Sequence, residues 1–205
     1  TQDMMADPAL RQALTLAVDR EAYADDVFFT FIDTDLAGTI VQPWARDESL
    51  RNPRFDIDEA NRIRDEGGCA DIDGDGRRED WRGNQLDLYL IVAETERPDL
   101  LAIIDRLGAD FARIGARLTV QKLNPVAFDE RWTQNRMYDM VAYSLVTFPG
   151  FNHFDLYGTA WDIRANSLGW NPGGYSNDGV DTAIDTYFAS TTTEDLRAAL
   201  VSLPP

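Results

Sequence analysis

The chain has 205 residues and a formal charge of −17, from 36 Asp plus Glu against 19 Lys plus Arg. Binding to nucleic acid or to an anionic membrane surface needs clustered Lys and Arg, so this balance excludes both. A 44% hydrophobic content with 11% aromatics excludes wholesale disorder and suits one domain or one lobe of a larger protein, and the longest apolar runs fall short of the ~18 residues that a membrane-spanning helix needs.

The first predicted helix runs from Pro8 to Ala24. Asp7 stands at its N-cap and Pro8 at its first position, and Leu10, Ala13, Leu14, Ala17 and Val18 form one apolar face. Phe28 to Pro43 reads as irregular, with Gly38 and Pro43 as breakers. A short helix capped by Asp56 or Asp58 extends through Asp65, turns Ala60 and Ile63 inward, and closes at Gly67-Gly68. Leu86 to Ala93 reads as a strand that ends in a continuous apolar run, which places it centrally in a sheet. Pro98 opens a helix whose stripe is Leu100, Leu101, Ile104, Leu107, Phe111 and Ile114, with Gly115 as its cap. Ala116 to Leu123 is a second strand, so the unit predicts two parallel strands joined by a right-handed crossover. A helix from Asn124-Pro125 to about Asn135, a third strand from Tyr138 to Val146, and closing helices at Gly179–Ala189 and Thr193–Leu200 complete one α/β unit.

Three groups of residues invite a chemical reading. In Asp71-Ile72-Asp73-Gly74-Asp75-Gly76, carboxylates alternate before a glycine, as in the first half of a calcium-binding loop. Asp71, Asp73 and Asp75 are therefore candidate calcium ligands, with Glu79 at loop position nine. Arg82 occupies position twelve, where a bidentate Glu belongs, so calcium is expected to change stability little or not at all. The bland alternative is a polar, glycine-rich turn that feeds the strand at Leu86. A second group is aromatic: Trp132, Tyr143, Phe148, Phe151, Phe154, Tyr157, Trp161, Trp170 and Tyr175 crowd the C-terminal half. Aromatics on loops beyond strand ends often line ligand clefts, although most of these nine are expected to fill the core. Finally, Cys69 and His153 are each the single residue of their kind, too few ligands for a zinc site. A hydrolase reading would rest on His153 and an acid, yet the Gly-x-Ser-x-Gly nucleophile turn is missing, as are the P-loop and dinucleotide glycine patterns.

Arg11-Gln12-Ala13-Leu14-Thr15-Leu16-Ala17-Val18-Asp19-Arg20-Glu21 closely resembles the "vRqAlayAiDre" helix of the extracellular solute-binding proteins, family 5, the peptide-, dipeptide- and nickel-type binding components of ABC importers. Further matches follow in order. Trp44 after Pro43 resembles the Pro-x-x-Trp region, and Ala60 to Gly68 resembles the "A-x-x-L-L-x-E-A-G" helix, with Ile63 and Arg64 replacing its leucine pair. Asp71 to Arg77 resembles the "D-x-D-G-D-G" turn, Gly115 to Val120 the "G-I-x-v" strand, and Tyr138-Asp139-Met140 the "yDm" strand. Gly174-Tyr175-Ser176-Asn177 with Val180-Asp181 resembles "gysnpevD".

This resemblance implies an α/β fold: one lobe of a type II periplasmic-binding-protein-like architecture, with a mixed sheet flanked by helices. Residues 1–205 then form a single domain, the second of two lobes, without the first. The implied function is capture of a peptide-like or other small solute in an interlobe cleft and delivery to the permease subunits of an ABC importer. The implied protein is no enzyme, has no resident cofactor apart from the candidate calcium, inserts no segment into the membrane, and is a periplasmic or extracytoplasmic monomer, open to lipoprotein anchoring at full length. Tyr143, Phe148, Phe151 and Trp170 are the candidate ligand wall. Peptide-binding members carry an acidic residue after the "yDm" strand that pairs with the ligand's α-amine. Leu145-Val146-Thr147-Phe148 has no charge there, which favours an apolar, sugar-like or modified ligand.

Overall fold

A computed structural model describes residues 2–29, 34, 44, 49–80, 82–144 and 154–201. The chain divides into two compact units, Thr1–Thr34 with Pro53–Ser144, and Asp35–Asn52 with Leu145–Pro205. The predicted irregularity of Phe28 to Pro43 falls mostly outside the described residues, as does Pro43 itself.

The first unit begins with a short turn of helix, α1 (Gln2–Met5), followed by α2 (Pro8–Leu16) and α3 (Arg20–Phe28). The single helix expected over Pro8–Ala24 is thus two. Asp7 caps α2 by accepting from the Ala9 amide. Asp19 caps α3 by accepting from the Ala22 amide, so a residue expected inside a helix instead starts a new one. The carbonyls released at the end of α2 are satisfied from outside it. Thr15 O accepts from the Arg20 guanidinium and Leu16 O from the distant Asp56 amide. Asp56 itself caps α4 (Ile57–Glu66), which stops at Gly67.

The sheet has the order β2-β1-β3, and its three strands are parallel: β1 (Asp87–Ala93), β2 (Arg117–Leu123) and β3 (Met140–Ala142). β1 is central, as its apolar run predicts. It pairs along its whole length with β2, from Asp87 opposite Arg117 to Ala93 opposite Leu123. The Asp139 side chain continues the β3 edge by accepting from the Tyr89 amide. Helix α5 (Pro98–Ala112) joins β1 to β2. At its end Gly115 takes φ +72°, and an added Cβ there would lie 2.4 Å from Arg78 Cγ, so only glycine suits the turn. Helix α6 (Pro125–Asp129), continued by a wider π-helical segment (Glu130–Asn135), joins β2 to β3.

Alternation along β1 sends side chains to both faces, and both are buried. Leu90 and Val92 pack with Ile104 of α5, and Leu88 packs with α2, Ala60 of α4 and Phe111. Ile91 and Ala93 pack with Phe128 and Trp132 on the opposite face. Right-handed crossovers require this placement, since β1 to β2 and β2 to β3 run in opposite directions across the sheet.

The second unit contains α7 (Phe154–Tyr157), a 3₁₀ turn (Thr159–Trp161), α8 (Asp178–Ala189) and α9 (Thr193–Val201). Phe154, Val180, Ile184 and Leu200 form its buried cluster. The Asn177 side chain caps α8 by accepting from the Gly179 and Val180 amides.

Candidate functional site

In open parallel sheets, ligands bind beyond the carboxyl ends of the strands, at the point where the strand order reverses. With the order β2-β1-β3, that point lies between β1 and β3. The residues just past these ends are Glu94 to Glu96 and Tyr143-Ser144. Glu96 ties the two ends together: its carboxylate accepts from the Ser144 amide at 3.2 Å and from the Ser144 hydroxyl at 2.8 Å.

Tyr143 is half-buried here, with its ring 4.6 Å from that of the buried Trp132, and Trp132 lies 5.5 Å from Phe128. The three rings cover the face carrying Ile91 and Ala93 and bring an aromatic surface to the carboxyl edge. Of the ligand wall, Tyr143 was expected inside a strand running from Tyr138 to Val146, but β3 ends at Ala142 and leaves Tyr143 just past its carboxyl end. Phe148 and Phe151 lie outside the described residues, as do His153 and the uncharged stretch 145–147.

Trp170 belongs to the second unit and is 58% exposed. Its loop is organised by Asn171, which is 0% exposed and which composition alone does not single out. The Asn171 amide nitrogen donates to Gly158 O at 3.2 Å and to Tyr175 O at 2.8 Å, while its carbonyl accepts from the Tyr175 amide at 3.1 Å. A buried side-chain amide with all these partners fixes the loop and leaves Trp170 and Tyr175 exposed on it. The signal available in the sequence was an Asn flanked by Trp170 and Pro172, which reads equally well as an ordinary turn.

The aspartate turn is placed differently from expectation at one position. The residues whose carboxylate oxygens lie within 4.8 Å of one another are Asp71, Asp73 and Glu79. Asp75 accepts from the Arg77 amide at 2.8 Å and pairs with the Arg77 guanidinium at 2.5 Å. The Arg77 amide bond is the main cause that holds the Asp75 carboxyl below the usual range.

A cleft of about 710 Å³ opens near the amino end of β1, with Arg64, Cys69, Asp80 and Tyr89 in its lining. Arg64 is 3% exposed; it donates to Cys69 Sγ at 2.6 Å and pairs with Asp7 at 3.3 Å. Burial pushes the Cys69 thiol up despite that cation, so it is a poor nucleophile near neutral pH. Arg64 replaces an apolar residue of the expected helix, and the ion pair and thiol contact are what make its burial tolerable.

The family model of the bacterial extracellular solute-binding proteins, family 5, middle region, matches residues 1–161. The chain belongs to that family. Among curated proteins, no sequence matches it. Solved structures share the fold. NikZ from Campylobacter jejuni, in complex with Ni(L-His), is 21% identical with a TM-score of 0.82, over 96% of this chain and 38% of that one. The oligopeptide-binding protein AppA from Bacillus subtilis, in complex with a nonapeptide, is 22% identical with a TM-score of 0.78, again over 96% and 38%. An oligopeptide-binding protein from Thermotoga maritima, bound to mannohexaose, is 16% identical with a TM-score of 0.76, over 97% and 38%. This family member thus spans 38% of the length of each of those chains. Its fold class is the one the resemblance implied, α/β with a small sheet flanked by helices, although the described strands form a parallel sheet rather than the expected mixed one. Members of its family are solute-binding proteins rather than enzymes.

Proposed function

We propose that residues 1–205 form the second lobe of an extracytoplasmic two-lobe solute-binding protein that serves an ABC importer. The observation that carries this reading is the half-buried Tyr143, packed in a tilted contact on Trp132 at the carboxyl ends of β1 and β3 in a chain of this family. Such an edge presents apolar ring surface together with strand-end polar groups, the mixture that small-solute sites use. Capture then proceeds by hinge closure of two lobes around the ligand, and the closed form docks on the permease. No step of covalent chemistry is involved, and the working unit is a monomer. Among the described residues no helix is long and apolar enough to cross a membrane.

The solutes bound by the relatives, a nickel–histidine complex, a nonapeptide and a mannohexaose, bracket the ligand class. The aromatic candidates, Tyr143 in the first unit and Phe148, Phe151 and Trp170 from the sequence, favour an apolar, sugar-like or modified ligand, because rings cover apolar ligand faces without needing a charge partner. The test is calorimetry with peptide and oligosaccharide panels on the full-length protein. The expected result is a ligand whose affinity falls about tenfold or more in Tyr143→Ala, with an isolated second lobe roughly a hundredfold weaker, about 2.8 kcal/mol. Equal affinity in the isolated lobe and the full-length protein would remove the two-lobe capture reading.

A further inference from the structure

We propose that Asp71, Asp73 and Glu79 form a binding site for calcium. The loop that carries them is closed at its base by an antiparallel bridge between Ala70 and Glu79, with Glu79 N donating to Ala70 O at 2.9 Å and Ala70 N to Glu79 O at 3.2 Å. One oxygen from each of the three carboxylates lies within 4.8 Å of the others. Calcium holds its oxygens at roughly 2.3–2.6 Å, so two ligands on one ion stand at most about 5 Å apart. The three side chains already meet that limit.

Proximity of acids on a surface turn would mean little alone. The deciding observation is Glu79, which is 6% exposed. Its Oε2 accepts from the Ile72 amide at 2.9 Å, but its Oε1 is buried and has no hydrogen-bond donor. A carboxylate oxygen taken out of water without a partner is unfavourable, and a donor or a cation is what restores it. The nearby carboxylates of Asp71 and Asp73 cannot supply that donor, because ionised carboxylates only accept. A cation shared by all three satisfies Oε1 and removes their mutual repulsion.

The loop also presents its acids in a fixed orientation. Asp71 accepts from the Gly74 amide at 2.7 Å and the Gly76 amide at 2.9 Å, and Asp73 accepts from the Asp75 amide at 3.1 Å. Each carboxylate oxygen has a second lone pair, so these bonds leave coordination open. Asp75 is engaged by Arg77 and, at 3.3 Å, by Gln85, and stands outside the trio. Three carboxylates from one irregular loop suit calcium, which tolerates variable geometry with water completing its shell. Magnesium demands a near-ideal octahedron and commonly takes only one or two carboxylates. Without a bidentate acid at position twelve, the affinity belongs with the weak extracellular class.

Calorimetry on the metal-stripped protein tests this. One calcium site with Kd of about 0.1–1 mM is expected, with magnesium at least about tenfold weaker. Asp73→Asn and Glu79→Gln should each weaken calcium by about tenfold or more, and Asp75→Asn by less than about threefold. Asp73 is exposed, so its variant reports on binding even where Glu79→Gln fails to fold. The proposal is overturned by no saturable calcium heat up to about 10 mM, by equal binding of magnesium, or by unchanged affinity in Asp73→Asn.

Discussion

The two units of the chain are stabilised by different means. In the first, a central strand is buried on both faces, and apolar clusters on either side join β1 to α5 and to α6 with its π-helical extension. In the second, one apolar cluster holds α7, α8 and α9, and the aromatic loop beside it is held by a set of hydrogen bonds in which the buried Asn171 amide makes three. Apolar burial is non-directional and scales with area, so the first unit's stability is spread over many side chains. The second unit's loop relies on directional bonds, of which Asn171 makes three from one side chain, so losing it removes several at once.

Truncation of the central strand should show the largest effect. Ile91 is fully buried against Phe128 and Trp132, so Ile91→Ala is expected to cost about 3 kcal/mol through lost contacts and a residual cavity, measured by urea unfolding. A cost below about 1 kcal/mol would mean that the strand is less central than its pairing indicates. Asn171→Ala comes next, at about 2 kcal/mol, because it removes the side-chain bonds to Tyr175 O and from the Tyr175 amide and one of the two bonds to Gly158 O, which keeps the Trp161 amide. The sharper readout is hydrogen exchange at the Tyr175 amide, which should lose its protection. Retained protection there would show that the loop is not organised through this side chain. The smallest effect is of opposite sign. Gly108 lies inside α5 with open space around its Cβ position, so Gly108→Ala should stabilise by roughly 0.5–1 kcal/mol, read as a higher Tm. No gain would show that backbone propensity contributes little to the first unit beside its packing.

Local signals were read well where one rule dominated. Pro98, the apolar stripe and Gly115 delimit α5, and the apolar run of β1 predicts its central place. Competition between rules explains the departures. Asp19 sits in a sequence that is helical by periodicity, yet it caps a new helix because the ends of α2 find partners in Arg20 and Asp56. At the candidate site, Tyr143 was legible as a candidate aromatic but not as a strand-end residue, since the strand expected to reach Val146 stops at Ala142, and the Glu96–Ser144 tie joins residues 48 positions apart and has no local trace.

The sequence by itself determined the element order, the parallel β1–α5–β2 unit, the family and the alternating acids of the calcium-like turn, because periodicity, capping and turn chemistry act over a few residues. Tertiary structure alone decided which polar groups are buried. Arg64, Glu79 and Asn171 belong to residue types that usually face water, and each is buried only because the fold surrounds it. For Arg64 and Asn171 the fold brings Asp7 and Gly158 from farther along the chain, beside the local partners Cys69 and Tyr175. Glu79 meets Asp71 and Asp73 because the bridge to Ala70 closes the loop, so the ninth position, rather than the fifth, supplies the third carboxylate.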